Sequence, residues 1–250
     1  MENTHKPDKL NNLYVVLSGI FIVNALVAEF AGSKIFSLER LLGITTHQNF
    51  NLSVGVIIWP FVFVFSDIIN EYFGKIGVRK ISFITAALLC YSFLVIFVGT
   101  NLPPAKFWLD LNHTDPSGNS FNIDYAYSAV FRQSMGIIVG SVSAFLLSQM
   151  IDVYSFIYIK SFTGHKWLWL RATGSTIISQ LFDSFVILFI AFYVFNNWTF
   201  KDVIAVGVVQ YIYKVLLAIA FTPLIYVIHF FVDKYLGTKH EPVPQTDHIH

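Results

Sequence analysis

Charged residues are scarce in this chain. Asp, Glu, Lys and Arg make up 12% of its 250 residues, about half the share found in an average soluble domain. Hydrophobic residues make up 55% and the mean hydropathy is +0.62. Since such a chain has too little polar surface to face water throughout, the composition predicts an integral membrane protein.

Several chemical signatures are also missing. The single cysteine, Cys90, lies in an apolar run, which excludes a disulfide framework and a cysteine-based metal site. Neither a P-loop, an HExxH helix nor a GxSxG elbow occurs in the sequence. The net charge of +1 gives no indication of nucleic-acid binding. We therefore expect no enzyme, no ATPase activity of its own, no cofactor, no metal and no nucleic-acid partner.

Six segments are apolar and long enough to cross a bilayer. Because lipid offers no hydrogen-bond partner to a backbone, spanning segments of this kind are helices. The sequence thus predicts the all-α class: one polytopic domain, 1–237, with six transmembrane helices, followed by a polar, disordered cytoplasmic tail, 238–250. The predicted spans are about 12–32, 52–72, 79–99, 126–160, 172–195 and 203–232.

Basic residues are distributed unevenly around these spans. With both termini in the cytoplasm, ten of the sixteen Lys and Arg residues lie on the inner side and four on the outer side. The other two, Arg132 and Lys214, fall inside spans. The positive-inside rule therefore predicts this orientation. It places the loop 100–125, with its turn sequence DPSGNS, outside.

Ionisable residues inside the predicted spans are the main functional signal. Each costs at least about 2.5–3.5 kcal/mol at a helix centre, so several of them must face one another or water. Polar neighbours three or four positions away place short polar stripes on single helix faces. The ionisable residues are Glu29, Asp67, Glu71, Arg132, Asp152, Asp183 and Lys214, with Asn70, Gln149 and Gln180 beside them.

Two of these stripes share a short motif. Ser-Gln-x-x-Asp occurs at 148–152 and again at 179–183, on spans that run in opposite directions. Inverted repeats often place a binding site at their interface, although five letters alone do not establish a duplication. A second local pattern, Gly136-x-x-x-Gly140-x-x-x-Ala144, predicts close helix approach.

Structural explanations of the polar residues stay open beside the functional one. Glu71 could lie at the cytoplasmic interface and pair with Lys75, four residues on. Asp152 could lie near the inner surface, since its span is long. Asp183 and Lys214 could form an ion pair that only holds helices together.

Two stretches carry a resemblance to a known family. SDIINEYFGK (66–75) and GSTIISQLFDSFV (174–186) closely resemble the queuosine-precursor transporter family, which is also described as vitamin-uptake-like. The resemblance covers nearly the whole chain. It implies uptake of a 7-deazaguanine precursor, in the cyano form, the aminomethyl form or as the free base, across a bacterial inner membrane. The span count is also similar to that of the substrate-binding subunits of energy-coupling-factor transporters.

The residues suit such a ligand. A carboxylate can accept from the N–H groups of a guanine-like edge, an amide can donate and accept, and aromatic rings can stack on the base. A proton gradient could drive uptake, or trapping of the base could. The hypothesis therefore assigns substrate binding to Asp67, Asn70, Glu71, Gln149, Asp152, Gln180 and Asp183, and charge balance or coupling to Glu29, Arg132 and Lys214.

The expected partners are the small purine-like substrate and the lipid bilayer. A homodimer and an ATPase partner both stay open. The alternatives are a substrate-capture subunit of an ATP-driven importer and, in another class, a membrane enzyme or assembly factor.

Overall fold

A computed structural model describes residues 5–43, 51–132, 135–164 and 167–237. The predicted tail, 238–250, lies outside these ranges. Two short strands pair antiparallel, with Phe36 opposite Leu52: β1 (Ile35–Ser37) and β2 (Asn51–Ser53). The helices in these ranges are α1 (His5–Ala31), α2 (Leu38–Leu42), α3 (Gly55–Asn101), α4 (Lys106–Leu111), α5 (Ile123–Phe131), α6 (Met135–Thr163), α7 (Leu168–Leu188), which continues as a π-helical segment (Phe189–Val194), and α8 (Phe200–Leu236).

The prediction of an all-α polytopic membrane protein is confirmed. Five helical segments of the described chain are long and apolar enough to cross a membrane. They are Asp8–Ala31, Gly55–Asn101, Ile123–Thr163, Leu168–Val194 and Phe200–Leu236. The number of spans and the likeness to energy-coupling-factor subunits stay predictions.

The longest helix, α3, contains two of the predicted spans. Its 47 residues would extend about 70 Å at 1.5 Å per residue, more than twice the hydrocarbon thickness of about 30 Å. The backbone breaks at Gly74, where φ is 67° and ψ is −175°. Only glycine adopts this region readily. The break separates 55–73 from 75–101, and each part has the length of one span.

The helical segment that corresponds to the predicted span 126–160 is interrupted near its start. Helix α5 ends at Phe131, Arg132 is extended with φ −84° and ψ 91°, and α6 begins at Met135. The Arg132 side chain is exposed and its guanidinium lies 5.2 Å from the centre of the Phe97 ring. The Arg132 guanidinium stays exposed and does not enter the bundle. A helix break at this position therefore removes little buried surface.

Helices α6 and α7 pack closely against each other. A Cβ on Gly140 would lie 3.2 Å from the Ile187 carbonyl oxygen, and one on Gly136 would lie 2.6 Å from the Phe195 Cβ. The small-residue ridge predicted from the sequence is therefore confirmed at both glycines. It lets the backbones of these helices approach closely enough for short polar side chains to meet between them.

The loop between α4 and α5 forms a turn around Asp115. Its carboxylate accepts from the backbone N–H groups of Ser117 and Asn119, at 2.9 and 2.8 Å, and Gly118 has φ +82°. The predicted turn is confirmed. Hydrogen bonds from Asn119 hold the pKa of the Asp115 carboxyl below its ordinary value.

Candidate functional site

Polar side chains of α3, α6, α7 and α8 meet inside the bundle in three clusters. The central cluster consists of Ser66, Asp67, Gln149, Asp152 and Ser179. The Ser66 hydroxyl donates to Gln149 Oε1 at 2.8 Å, and the Ser179 hydroxyl donates to Asp152 Oδ1 at 3.1 Å. The carboxyl groups of Asp67 and Asp152 face each other, and the Ser175 and Thr176 side chains lie beside Asp152. Every member is buried, with at most 2% of its surface exposed.

The Asp183 cluster lies toward the end of the bundle where α3 and α8 begin. Asp183 Oδ2 accepts from Lys214 Nζ at 2.6 Å, and Asp183 Oδ1 accepts from the Ser148 hydroxyl at 3.4 Å. Glu29 of α1 lies beside Ser141 and lines the same cavity as Asp183. This cluster joins side chains of four helices, and its Asp183 carboxylate is paired with the Lys214 ammonium.

The Glu71 cluster lies one helical turn beyond Asp67, on the side of Gly74. Glu71 Oε1 is 2.8 Å from Arg171 Nη2, and Glu71 Oε2 is 3.1 Å from Lys160 Nζ. The Arg171 side chain is fully buried, and its Nη1 also donates to the Gly164 carbonyl oxygen at 2.8 Å. Two cations therefore face one carboxylate here.

The two Ser-Gln-x-x-Asp segments cross reciprocally. Ser179, in the second segment, donates to Asp152 in the first, and Ser148, in the first, donates to Asp183 in the second. This exchange follows from antiparallel packing of α6 and α7, because the head of each motif then lies beside the tail of the other. The arrangement has the geometry expected at the interface of an inverted repeat.

A further polar contact joins α3 to α8 next to the Glu71 cluster. The Tyr72 hydroxyl donates to Asp233 Oδ1 at 2.5 Å and lies 2.9 Å from His229 Nδ1. His229 is 4% exposed. This contact closes the space between the two helices on the side of Gly74.

Two adjoining cavities open between the clusters. The narrow cavity has a volume of about 30 Å³ and the wide cavity about 190 Å³. A single water needs about 10–15 Å³ on this measure, so the wide cavity has room for a small molecule and the narrow one for a water or two. Val56, Trp59 and Lys214 line both. The narrow cavity is further lined by Phe63, Asp67, Thr176, Gln180 and Phe221, and the wide one by Glu29, Ser141, Asp183, Gln210 and Tyr213.

The structure places most of the sequence-predicted site residues inside the bundle, where they are divided among separate clusters. Asp67, Gln149 and Asp152 are in the central cluster, and Gln180 lines the narrow cavity. Asn70 is buried at 3% exposure, and neither of its amide atoms has a hydrogen-bond partner among the described residues. Asp183, Glu29 and Lys214 form a separate cluster around the wide cavity.

One expectation and two open alternatives from the sequence differ from what the structure shows. Arg132 is exposed beside Phe97 and does not reach any cluster, so it does not balance buried charge. Glu71 pairs with Lys160 and Arg171 instead of Lys75, because both cations lie on helices that face it. Asp152 is 1% exposed and therefore does not lie at a surface.

The sequence reading missed Arg171 and Lys160. The positive-inside rule assigns both to the ten inner-side basic residues, since Arg171 precedes the predicted span 172–195 by one residue. Helix α7 begins earlier, at Leu168, which places Arg171 on its first turn and inside the bundle. The serines that open the two motifs were also missed. Their reciprocal positions in the repeat were the available signal.

These observations define a multi-pass membrane transport protein: buried polar clusters and adjoining cavities lie inside a bundle of spanning helices. Residues 53–228 match the family described as "Putative vitamin uptake transporter". The chain belongs to this family. It is therefore a transporter of a small molecule and not an enzyme.

Three curated relatives share this similarity. The chain is 28% identical over 176 residues to the "Probable queuosine precursor transporter" of Bacillus subtilis, which covers 70% of this chain and 68% of that protein. It is 26% identical over 178 residues to the "Queuosine precursor transporter" of Escherichia coli, covering 69% and 70%. It is also 26% identical over 187 residues to the "Probable queuosine precursor transporter" of Haemophilus influenzae, which covers 71% of this chain and 68% of that protein. No solved structure matches the chain.

Proposed function

We propose that this chain imports a 7-deazaguanine precursor of queuosine across a bacterial inner membrane. The names of the relatives supply the substrate class. The observation that carries the proposal is that Asp67 and Gln180 line one cavity together with aromatic rings. The cyano form, the aminomethyl form and the free base all present the same guanine-like edge.

The narrow cavity offers the groups that such an edge requires. The Asp67 carboxyl can accept from adjacent N–H groups, and the Gln180 amide can both donate and accept. Trp59, Phe63 and Phe221 provide apolar faces, and stacking on a base contributes roughly 1–3 kcal/mol per base. An aminomethyl group would add a cation, which a carboxylate also favours.

The wide cavity is the entry chamber in this proposal. With both termini in the cytoplasm and six spans, the ends at which α3 and α8 begin face outward, and so does the wide cavity. Removing the buried Arg171 from the inner basic residues and adding the exposed Arg132 to the outer ones leaves nine against five, so the charge asymmetry that favours this orientation persists. Trp59 and Lys214 line both cavities, so substrate passes them to reach Asp67.

The inner side is closed in this conformation. The Glu71 cluster and the Tyr72 contacts with His229 and Asp233 lie between Asp67 and the cytoplasmic ends of the helices. The narrow cavity, at about 30 Å³, is also too small for a bicyclic base. Substrate binding therefore requires the walls at Trp59 and Phe221 to move apart, and release requires the inner contacts to separate.

Uptake into proteoliposomes tests this function. Purified full-length protein is reconstituted alone, and entry of radiolabelled 7-cyano-7-deazaguanine, its aminomethyl form and the free base is measured, with guanine as competitor. We expect saturable uptake of at least one precursor. Asp67→Asn should reduce it about 10- to 100-fold, because a buried acceptor for the ligand is lost. Asp110→Asn, on the exposed helix α4, is the matched control and should leave uptake unchanged.

The outcomes separate the alternatives. Uptake by the chain alone excludes the need for an ATPase partner. Saturable binding without uptake indicates a substrate-capture subunit. Absence of binding and of uptake for all three precursors overturns the proposed substrate class.

A further inference from the structure

The aspartates of the two Ser-Gln-x-x-Asp segments have different partners. Asp183 and Asp152 each accept from the serine of the opposite copy. Asp183 then pairs with the Lys214 ammonium at 2.6 Å. Asp152 instead meets the carboxyl group of Asp67. No Lys or Arg of the described chain lies within ion-pair distance of either Asp67 or Asp152.

The contact between the two carboxyls lacks a donor. Asp67 Oδ1 and Asp152 Oδ2 are buried and have no hydrogen-bond donor among the described residues. Two ionised carboxylates held this close repel each other, and buried acceptors normally have a donor. One shared proton removes the repulsion and supplies the missing donor, because the O–H of one carboxylic acid then donates to the carboxylate of the other.

The charges around the pair agree with a single proton. Along α3, Glu71 lies one turn from Asp67; Arg171 faces the pair from α7, and Lys160 reaches Glu71 from α6. From α8, Lys214 lines the narrow cavity but is paired with Asp183, while Glu29 of α1 lies beside the wide cavity. Counted without the neighbouring Asp233, which accepts from the Tyr72 hydroxyl, the Glu71 cluster has one surplus positive charge. A pair that holds one proton has one negative charge and balances it.

We propose that Asp67 and Asp152 form a proton-binding site that takes up one proton together with the substrate. This rests on the proposed transport function. A singly protonated pair presents acceptors for the N–H groups of a guanine-like edge and one O–H donor for its carbonyl oxygen. A fully ionised pair presents acceptors only. The protonated pair is therefore the better complement, so proton and substrate bind together and enter together.

Infrared spectroscopy tests the proton directly and needs no transport. We expect purified full-length protein at neutral pH to have a carboxylic acid C=O band that shifts in D₂O. Asp67→Asn and Asp152→Asn should each abolish it, because an amide then supplies the donor. Asp183→Asn, at the equivalent position of the other motif, and Glu29→Gln should both retain it.

The same spectra contain the outcomes that overturn the site. A wild-type protein with no such band holds no proton at this pair. A band that survives both central substitutions, or that disappears with Glu29→Gln, belongs to another carboxyl. The wild-type spectrum decides the first point even if a central variant does not fold.

Proton movement in proteoliposomes tests the coupling. An alkaline lumen should give about tenfold accumulation of substrate per pH unit, the limit for one proton per molecule. A lumenal pH dye should report acidification that depends on substrate. Uptake that does not depend on the pH gradient overturns the proton coupling but not the transport function. Failure to take up any precursor overturns the transport function and the coupling with it, while the infrared band still decides the proton site.

Discussion

The two halves of the α6–α7 crossing differ in how each neutralises an aspartate. Both halves contain Ser-Gln-x-x-Asp, and each serine donates to the aspartate of the opposite motif. In one half a lysine from α8 completes the site, and the pair is partly exposed to the wide cavity. In the other half the third group is a second carboxyl, and burial is nearly complete. The motif thus determines one hydrogen bond of each aspartate. The helix that packs against it, α8 or α3, determines whether the aspartate meets a cation or a second carboxyl.

The Glu71 cluster, where a carboxylate depends on a fully buried cation, should be the most sensitive part of the bundle. Arg171→Met leaves Glu71 without its closest cation, and we expect a loss of about 3–5 kcal/mol in the free energy of unfolding. Thermal and denaturant unfolding in detergent would measure it. Lys160→Met is the matched control and should cost less, since the Lys160 side chain is 21% exposed. Equal losses for the two variants would show that burial of the cation does not determine the loss in unfolding free energy.

Lys214 is the cation that distinguishes the Asp183 half of the crossing from the Asp152 half. Lys214→Met should lower the free energy of unfolding by about 1–3 kcal/mol, less than Arg171→Met, because the lysine and Asp183 side chains are 15% and 22% exposed. Adding Asp183→Asn should restore most of the loss. Asp152→Asn alone should cost under about 1 kcal/mol, since an amide replaces a carboxyl that shares a proton. A larger loss for Asp152→Asn than for Lys214→Met would contradict the difference between the halves.

Removing the serine of each motif should have a smaller effect on the free energy of unfolding. Ser179→Ala removes a 3.1 Å hydrogen bond to a buried aspartate, and we expect a loss of about 1 kcal/mol in unfolding free energy. Ser148→Ala should cost less, because its bond to Asp183 is longer, at 3.4 Å, and Asp183 keeps Lys214. Denaturant unfolding of the two variants side by side measures the difference. The reverse order would indicate that the Asp183 half depends more on its serine than its geometry suggests.

The smallest effect is expected at Asp115, an exposed carboxylate that serves as a reference outside the bundle. Its pKa is lowered by hydrogen bonds from Asn119, so its stabilisation of the turn is complete above the ordinary pKa of aspartate and disappears as pH falls through the lowered value. Amide hydrogen exchange at Ser117 and Asn119 should accelerate in Asp115→Ala. Global unfolding and substrate uptake should not change. A change in uptake would link this loop to transport.

The burial of the central residues could be predicted from the sequence. Asp67, Gln149 and Asp152 lie in long apolar runs, and their spacing places each polar pair on one helix face. Since a lipid-facing carboxylate is costly, such residues had to turn inward. The structure places all three inside, within 2% exposure.

The choice of partners could not be predicted. Arg132 and Arg171 both lie near the end of an apolar run, and the sequence placed the former inside a span and the latter outside. The structure exposes Arg132 at a break between helices and buries Arg171 against Glu71. The difference depends on where a helix begins relative to the next one, and hydrophobicity defines such boundaries only to within a few residues.

Composition and spacing alone determined that this is a helical membrane protein with carboxylates and amides facing inward, because the cost of exposing charge or backbone to lipid depends on residue type and helical period. Which carboxylate meets a cation and which meets another carboxylate depends on how the helices pack. That depends on the axial alignment of α3, α6, α7 and α8, and a change of one helical turn, about 5.4 Å, would exchange one partner for another.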